Sequence, residues 1–471
     1  MIGSGVKSYA RGMASGATIV ARKSNYDESE LADFASKGGI LSNHSYSSGD
    51  PDGYVPEYGM YTYNSSEWDE IMYNAPYLTI CKSAGNNRND DVNVDDKGYD
   101  LIFTLAACKN LITIGAVEDL FYYQDASSVV QSAFSNWGPT DDWRIKPDIT
   151  ANGVGLYSAN NITNASYISK SGTSMSSPSV CGSIALLQQH FHNMNQVYMK
   201  SATVKALLFC TTDEAGEHDG PDFQSGWGLM NTARAAELIS EKDKTALIEE
   251  LSLNNGEVFT KDVAVDGSSP IAITINWTDP VGDLTFGEDN QTPVLVNDLD
   301  LRLMANGFVY EPWTFTPNES STNFTDAASH GDNFRDNTER IDIKDIPAGI
   351  YTIKISHKGS LVEGHQDFSL VASGLSETNV TATNQLIKNC SAIKMFPTPL
   401  TTGYLFIHFP DEFKTENTSL FIFDVSGRLI KNIFLQANQN QVDLSDLKPG
   451  FYIAKIRQNK SALLSREIIV K

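Results

Sequence analysis

The chain has 471 residues, 41% hydrophobic and 20% charged, with a formal net charge of −23. That length favours about two to four globular domains, and the acidic balance disfavours nucleic acid and anionic membrane surfaces as partners. Five cysteines, with no C-x-x-C pair, are too few and too scattered for a disulfide scaffold or a thiolate metal site.

In chain order, Met1 to Ala21 is Gly/Ser-rich. It has no sustained apolar core, so no signal peptide is read, and no run of about 18 apolar residues predicts a membrane span. Ala17 to Ala21 predicts a buried strand. Glu28 to Lys37 has helical spacing and stops at Gly38-Gly39. Ile40 to Ser45 predicts a strand, 49–67 a long loop, Trp68 to Ala75 a helix, and Tyr77 to Cys81 a strand running into Ser83-Ala84-Gly85-Asn86. Asn87 to Asp100 reads as an acidic loop and Asn110 to Val117 as a strand. Strands alternating with helices predict a parallel sheet flanked by helices, with chemistry at the carboxyl ends of the strands. Ser45 and Asn86 both follow apolar strands. Cys81 and Cys108 read as buried free thiols, with a meeting on neighbouring strands as the alternative. Asp90, Asp91, Asp95 and Asp96 read as a solvated loop rather than a calcium site, because no ligand spacing is present.

Ser171 to Pro178 places a serine among small residues just before a helical run (Val180, Ile184, Leu187). A helix starting there aims free N–H groups and its positive end at whatever Ser174 attacks, which suits an oxyanion-forming nucleophile. A Ser/Thr-rich helix cap is the plainer reading. None of the eight histidines is assigned a catalytic role. His44 lies nearest in sequence terms, while His190 and His192 are expected to cap the helix end.

After Asn231 a helix is expected to about Ile248. Residues 250–375 then alternate with period two: Ile271 to Trp277, Leu299 to Leu303, Arg340 to Ile343, Gly349 to Ile355 and Phe368 to Ala372. This predicts an all-β sandwich. Asp298 and Asp300 read equally as calcium ligands or as turn and strand residues. Residues 376–391 form a Ser/Thr/Asn-rich linker. The last eighty or so residues predict a small antiparallel sandwich with a hairpin at Ser426-Gly427.

Gly172-Thr173-Ser174-Met175-Ser176-Ser177-Pro178 resembles the G-T-S-M-[AS]-x-P nucleophile motif of the subtilisin-like serine proteases (subtilases). Lys82 to Asn86 resembles the family's S-A-G-N segment, and Ile40 to Ser47 its substrate-pairing strand. Arg144 to Ile149 resembles the K-P-D-[IV] segment, and Ser225 to Asn231 the closing G-x-G-x-[VI]-[ND]. The resemblance implies Ser174 as nucleophile and Asn86 as oxyanion donor, with Ser45, Tyr46, Ser47, Ser83, Ala84 and Gly85 along the substrate cleft. Met1 to Ala14 resembles the stretch that follows the family's histidine motif. On that match the catalytic Asp and His have no counterpart in residues 1–471, and the chain alone is expected to be inactive.

Val296 to Leu301 and Pro347 to Tyr351 resemble the jelly-roll-like domain that follows some bacterial subtilase domains. Met395 to Pro399, Asp424 to Arg428 and Leu447 to Tyr452 resemble the C-terminal sorting domain of the type IX secretion system of Bacteroidetes, with Phe396 and Thr398 in place of Tyr and Asn.

The expected architecture is multi-domain. An incomplete α/β parallel-sheet subtilisin-like domain (1–245) precedes an all-β jelly-roll-like sandwich (246–376), a linker (377–391) and a small C-terminal β-sandwich (392–471). The expected function is a secreted or cell-surface serine endopeptidase acting on proteins or peptides. It would engage the type IX secretion machinery, be a monomer, need no cofactor and no catalytic metal, and use calcium at most as a structural ion. The alternative is a surface binding or adhesion protein built on a protease remnant. An α/β hydrolase of another kind is disfavoured, because no G-x-S-x-G surrounds Ser174.

Overall fold

Four parallel strands organise the first half of the chain. The computed structural model describes residues 1–22, 27–46, 58–91, 93–287, 289–305, 307–315, 324–376, 394–396, 400, 403–409, 418–424, 428–435, 441–458 and 461–470. Helix α1 (Asp27–Ser36) leads to β1 (Leu41–His44), α2 (Tyr63–Asn74) to β2 (Thr79–Ser83), and then come β3 (Ile112–Val117) and β4 (Ile149–Asn152). The strand order is β1-β2-β3-β4, all parallel. Every residue of β2 and β3 is buried, as expected of strands covered on both faces in a parallel sheet. A short antiparallel pair follows, β5 (Leu156–Ala159) with β6 (Tyr167–Lys170).

Helix α3 (Thr173–Asn195) packs across the sheet, and α5 (Thr232–Ser240) packs on α3. Helix α4 (Ser201–Cys210) is buried at every position. The reason is that it lies against a second sheet, of order β14-β9-β16-β7, while its other contacts reach α5 and the core of the parallel sheet. That second sheet comprises β7 (Leu247–Asn254), β9 (Ile271–Asn276), β14 (Thr338–Ile343) and β16 (His365–Ser373). A third sheet, β11-β10-β15-β8, comprises β8 (Phe259–Val265), β10 (Leu299–Ala305), β11 (Phe308–Tyr310) and β15 (Gly349–His357). Both sheets are antiparallel, and their inward residues share one apolar core, with Ile273, Ile275, Leu301, Ile353 and Leu370 all below 1% exposed. A two-stranded pair, β12 (Trp313–Thr314) and β13 (Ser329–His330), completes this part. Residues 1–376 form one compact unit.

Residues 377–471 form a second unit. It holds a three-stranded sheet of β17 (Lys394–Phe396), β18 (Tyr404–His408) and β21 (Gln441–Asp443). Its four-stranded sheet consists of β19 (Thr418–Asp424), β20 (Leu429–Phe434), β22 (Gly450–Gln458) and β23 (Ser461–Val470). Leu405, Leu420, Ile422 and Ile456 fill its core. Strands β19 and β20 pair as the expected hairpin, but its turn at Ser426-Gly427 lies outside the described residues, as do Pro397 to Pro399 and linker residues 377–391.

Three expectations are corrected. Ala17 to Ala21 is exposed coil, with Ile19 and Val20 56% and 55% exposed. The run has strand propensity but no strand beside it, and it lines a groove of about 920 Å³ against edge strand β1, α1 and α3. Helix α2 starts at Tyr63, five residues before the predicted start, because Thr62 and Ser65 form a capping box. Helix α5 ends at Ser240, not near Ile248: the chain turns through Asp243 at φ +64° and enters β7. Cys81, Cys108, Cys181 and Cys210 are buried free thiols, and the neighbour of Cys81 is Cys181 rather than Cys108.

Candidate active site

Ser174 is the second residue of α3, and Gly172 is the N-cap at φ +147°, a conformation that favours glycine. The Gly172 N–H donates to the Gly153 carbonyl (2.8 Å), tying the helix start to the chain leaving β4. Pro178 lies inside the helix and cannot return an N–H to the Ser174 carbonyl, so the first turn is held from outside. Thr173 supplies the anchor. Its backbone N–H and its hydroxyl both donate to Asn86 Oδ1, at 2.8 and 3.0 Å, and its Oγ1 accepts the Gly85 N–H at 3.2 Å. With Oδ1 holding two donors, the Asn86 amide has one orientation, and its NH₂ group has no protein partner among the described residues. The Ser174 N–H, one of the orphan donors of the helix start, likewise has no partner among the described residues.

Asn86 stands at the carboxyl end of β2. Gly85 before it has φ +116°, and a Cβ there would lie 2.3 Å from Asn136 Nδ2. Asn136 brackets this turn: its N–H donates to the Gly85 carbonyl (3.0 Å) and its Oδ1 accepts from the Asn87 N–H (2.6 Å). Ser83 and Ala84 are 5% and 1% exposed, and the Ala84 N–H pairs with the Ile114 carbonyl, so these two set backbone spacing.

Strand β1 divides its side chains between two faces, as period two requires. Asn43 faces α3, accepting from Ser177 Oγ (2.9 Å) and donating to Ser45 Oγ (3.0 Å). The Ser45 carbonyl accepts the Ser174 hydroxyl at 3.3 Å. Ser42, His44 and Tyr46 share the other face. Tyr46 donates to Asp27, His44 Nδ1 donates to the Tyr46 oxygen (2.6 Å), and Ser42 donates to His44 Nε2 (2.7 Å). The His44 ring also packs edge-on against Trp68, centroids 4.6 Å apart. Burial, and then the charge of Lys82, lowers its pKa to about 4, so it stays neutral. Both ring nitrogens are committed away from Ser174. His190 bonds Ser240 of α5 (2.9 Å), and His192 stacks on Tyr198. Ser47 lies outside the described residues.

The two remaining motifs hold the sheet together. Asp148 Oδ2 accepts from the Thr113 N–H of β3 (2.7 Å) and from Lys146 Nζ (2.5 Å). Gly226 to Met230 runs beside β4, with the Trp227 N–H on the Asp148 carbonyl and the Met230 N–H on the Thr150 carbonyl. Gly226 has φ +63°, and a Cβ there would meet the Pro147 oxygen at 2.1 Å.

Thr173 and Asn136 were missed as anchoring residues. Thr173 was visible only as a member of G-T-S, and nothing local marks Asn136. Asp298 and Asp300 already face a cation, since Lys358 Nζ lies 3.0 and 3.1 Å from them. Asp90, Asp91, Asp95 and Asp96 do not converge. Among the described residues the converging acidic group is Asp100, Asp141 and Asp289.

Residues 2–228 match the subtilase family, and residues 394–471 match the secretion system C-terminal sorting domain. The chain is 26% identical over 357 residues to the serine protease/ABC transporter B family protein tagA of Dictyostelium discoideum, covering 66% of this chain and 20% of that protein. It is 33% identical over 155 residues to the C5a peptidase of Streptococcus pyogenes serotype M6, covering 31% of this chain and 13% of that protein. The chain thus spans a fifth or less of the length of these relatives. Among solved structures, the patellamide maturation protease PatA is 21% identical with a TM-score of 0.33, over 45% of this chain and 67% of that one. Residues 2–228 are subtilase-family sequence, and residues 394–471 are a sorting domain that marks the protein for secretion or the cell surface. Among the described residues no helix is long and apolar enough to cross a membrane.

Proposed function

We propose that this chain carries the nucleophile half of a secreted serine endopeptidase. Ser174 attacks a peptide carbonyl and forms an acyl-enzyme, and the Asn86 amide and the Ser174 N–H receive the oxyanion. The observation that carries this reading is the double hydrogen bond from Thr173 to Asn86 Oδ1, which among the described residues leaves the Asn86 amide NH₂ without a protein partner at the helix start that also carries the unpaired Ser174 N–H. The backbone of Ser45 to Ser47 and of Ser83 to Gly85 lines the cleft for a protein or peptide substrate. The antiparallel domain, read as jelly-roll-like, steadies the protease unit. The C-terminal unit is the handle for a type IX export machinery, and the protein acts as a monomer.

A serine nucleophile needs a base and an orienting carboxylate. Among the described residues the Ser174 hydroxyl bonds a backbone carbonyl, and no imidazole reaches it. We therefore propose that residues 1–471 by themselves are inactive. A site reduced to its oxyanion donors and binding surface keeps at most about 10³–10⁴ over water. The same Ser174–Ser45 bond favours the second reading, a surface binding or adhesion protein on a protease scaffold.

Fluorophosphonate labelling separates the two. The protein as its cells export it is expected to label, with the signal lost in Ser174→Ala, while polypeptide 1–471 stays unlabelled. An exported protein that never labels would remove the peptidase reading and leave the binding one.

A further inference from the structure

We propose that Asp100, Asp141 and Asp289 form a site for a divalent cation of the calcium class, joining the loop beyond Asn86 to the antiparallel domain. One carboxylate oxygen from each lies within 4.8 Å of the others. Oxygens bound at about 2.4 Å to one shared cation can stand at most about 4.8 Å apart. The donor set is oxygen only, which selects a hard cation over zinc or copper.

Two of the three carboxylates are buried and keep oxygens that no close donor satisfies. Asp100 and Asp141 are 8% and 6% exposed. Asp100 Oδ1 and both oxygens of Asp141 are buried without a close hydrogen-bond partner, the Asn290 N–H being at most a weak backbone donor to Asp141, and this is costly for any charged group. Asn93 Nδ2 donates to Asp100 Oδ2 (3.2 Å), orienting that carboxylate and leaving Oδ1 to the cluster. No Lys or Arg among the described residues pairs with any of the three, and the neighbouring Arg144 is committed to Asp142. Asp298, Asp300 and Asp332 make the contrast: they also crowd together, and Lys358 supplies their positive charge.

The backbone around the cluster is built to hold it. The Asp100 N–H is fixed by the Gly138 carbonyl and the Asp141 N–H by the Gly59 carbonyl. Gly59 has φ +69°, and a Cβ there would fall 1.9 Å from Asp141 Oδ1 and 2.5 Å from Asp100 Oδ1. Only a glycine lets the chain form this wall, and the wall closes one side of the cluster. Asp289, which is exposed, stands at the open side and gives the ion its way in.

The test uses the full chain, stripped with a chelator and titrated with calcium chloride while thermal unfolding and heats of binding are followed. The wild-type Tm is expected to rise with calcium. Asp289→Asn, at an exposed position, should fold normally and bind calcium at least tenfold more weakly. Asp141→Asn should raise the Tm in chelator, because it removes a buried unpaired charge, and should abolish the calcium-dependent rise. A wild-type Tm indifferent to calcium, or an equal rise at equal calcium in both variants, would overturn the proposal.

Discussion

Asn86 Oδ1 accepts two hydrogen bonds from one residue, the N–H of Thr173 at 2.8 Å and its hydroxyl at 3.0 Å. This couples the end of β2 to the start of α3 across 87 residues of chain. It also makes the position of one proposed oxyanion donor depend on a side chain that does no chemistry itself.

Replacing Thr173 by Val keeps the shape but deletes the hydroxyl, which also receives the Gly85 N–H at 3.2 Å. The site is fully buried, so the Gly85 N–H and half of the Asn86 anchor lose their partner. Thr173→Val is expected to cost about 1–3 kcal/mol in urea unfolding. Thr173→Ser should recover most of it.

Gly85 and Gly155 both have positive φ, +116° and +70°, but only Gly85 is crowded. Gly155→Ala should cost about 1 kcal/mol for conformational strain alone. Gly85→Ala adds the contact with Asn136 and should cost clearly more, about 2–4 kcal/mol. Comparable urea midpoints for the two variants would contradict the packing described around Asn86.

Lys109 and Asp279 are both fully buried and pair at 2.5 Å, with Lys109 also donating to the carbonyls of Pro280 and Val294. Asp279 in turn accepts the Val296 and Asn297 N–H groups. Asp279→Ala strands a buried ammonium and is expected to cost about 3–5 kcal/mol, read from the shift of the denaturation midpoint. Combining it with Lys109→Met should restore much of the loss, because the pair is then absent rather than broken.

His44 gives the stability a pH dependence of defined sign. Its folded pKa, about 4, lies below the ordinary imidazole value of about 6.5, so between those values the unfolded chain binds more protons. Its contribution is complete above about pH 6.5, is lost as pH falls through that window, and levels off below about pH 4. The amount is on the order of 3 kcal/mol. Urea unfolding of wild type and His44→Gln across this range should show a shallower slope for the variant. Parallel slopes would mean that His44 is not held neutral.

Much of the first unit is readable locally. Apolar runs such as Thr79 to Cys81 and Ile112 to Val117 predict β2 and β3, Gly38-Gly39 marks the end of α1, and period two predicts β9, β10, β14, β15 and β16. The motif around Ser174 places that serine at a helix start, where the structure has it. Ala17 to Ala21 shows the limit. Its residues have strand propensity, yet a strand exists only where a partner offers its hydrogen bonds, and that partner is not a local property. The early start of α2 is legible in Thr62 and Ser65, spaced as a capping box.

Motif order, binary patterning and turn chemistry were thus determined by the sequence itself, because they depend on neighbours within about four positions. Which face of β1 each residue shows also follows from alternation, once the strand is known. Only the tertiary structure decided that Thr173 fixes the Asn86 amide, that His44 spends both nitrogens on Ser42 and Tyr46, and that Asp100, Asp141 and Asp289 meet. Those relationships join segments far apart in the chain. They exist because packing the sheet, the helices and the antiparallel domain around shared cores leaves each buried polar group only the partners that the fold brings within reach.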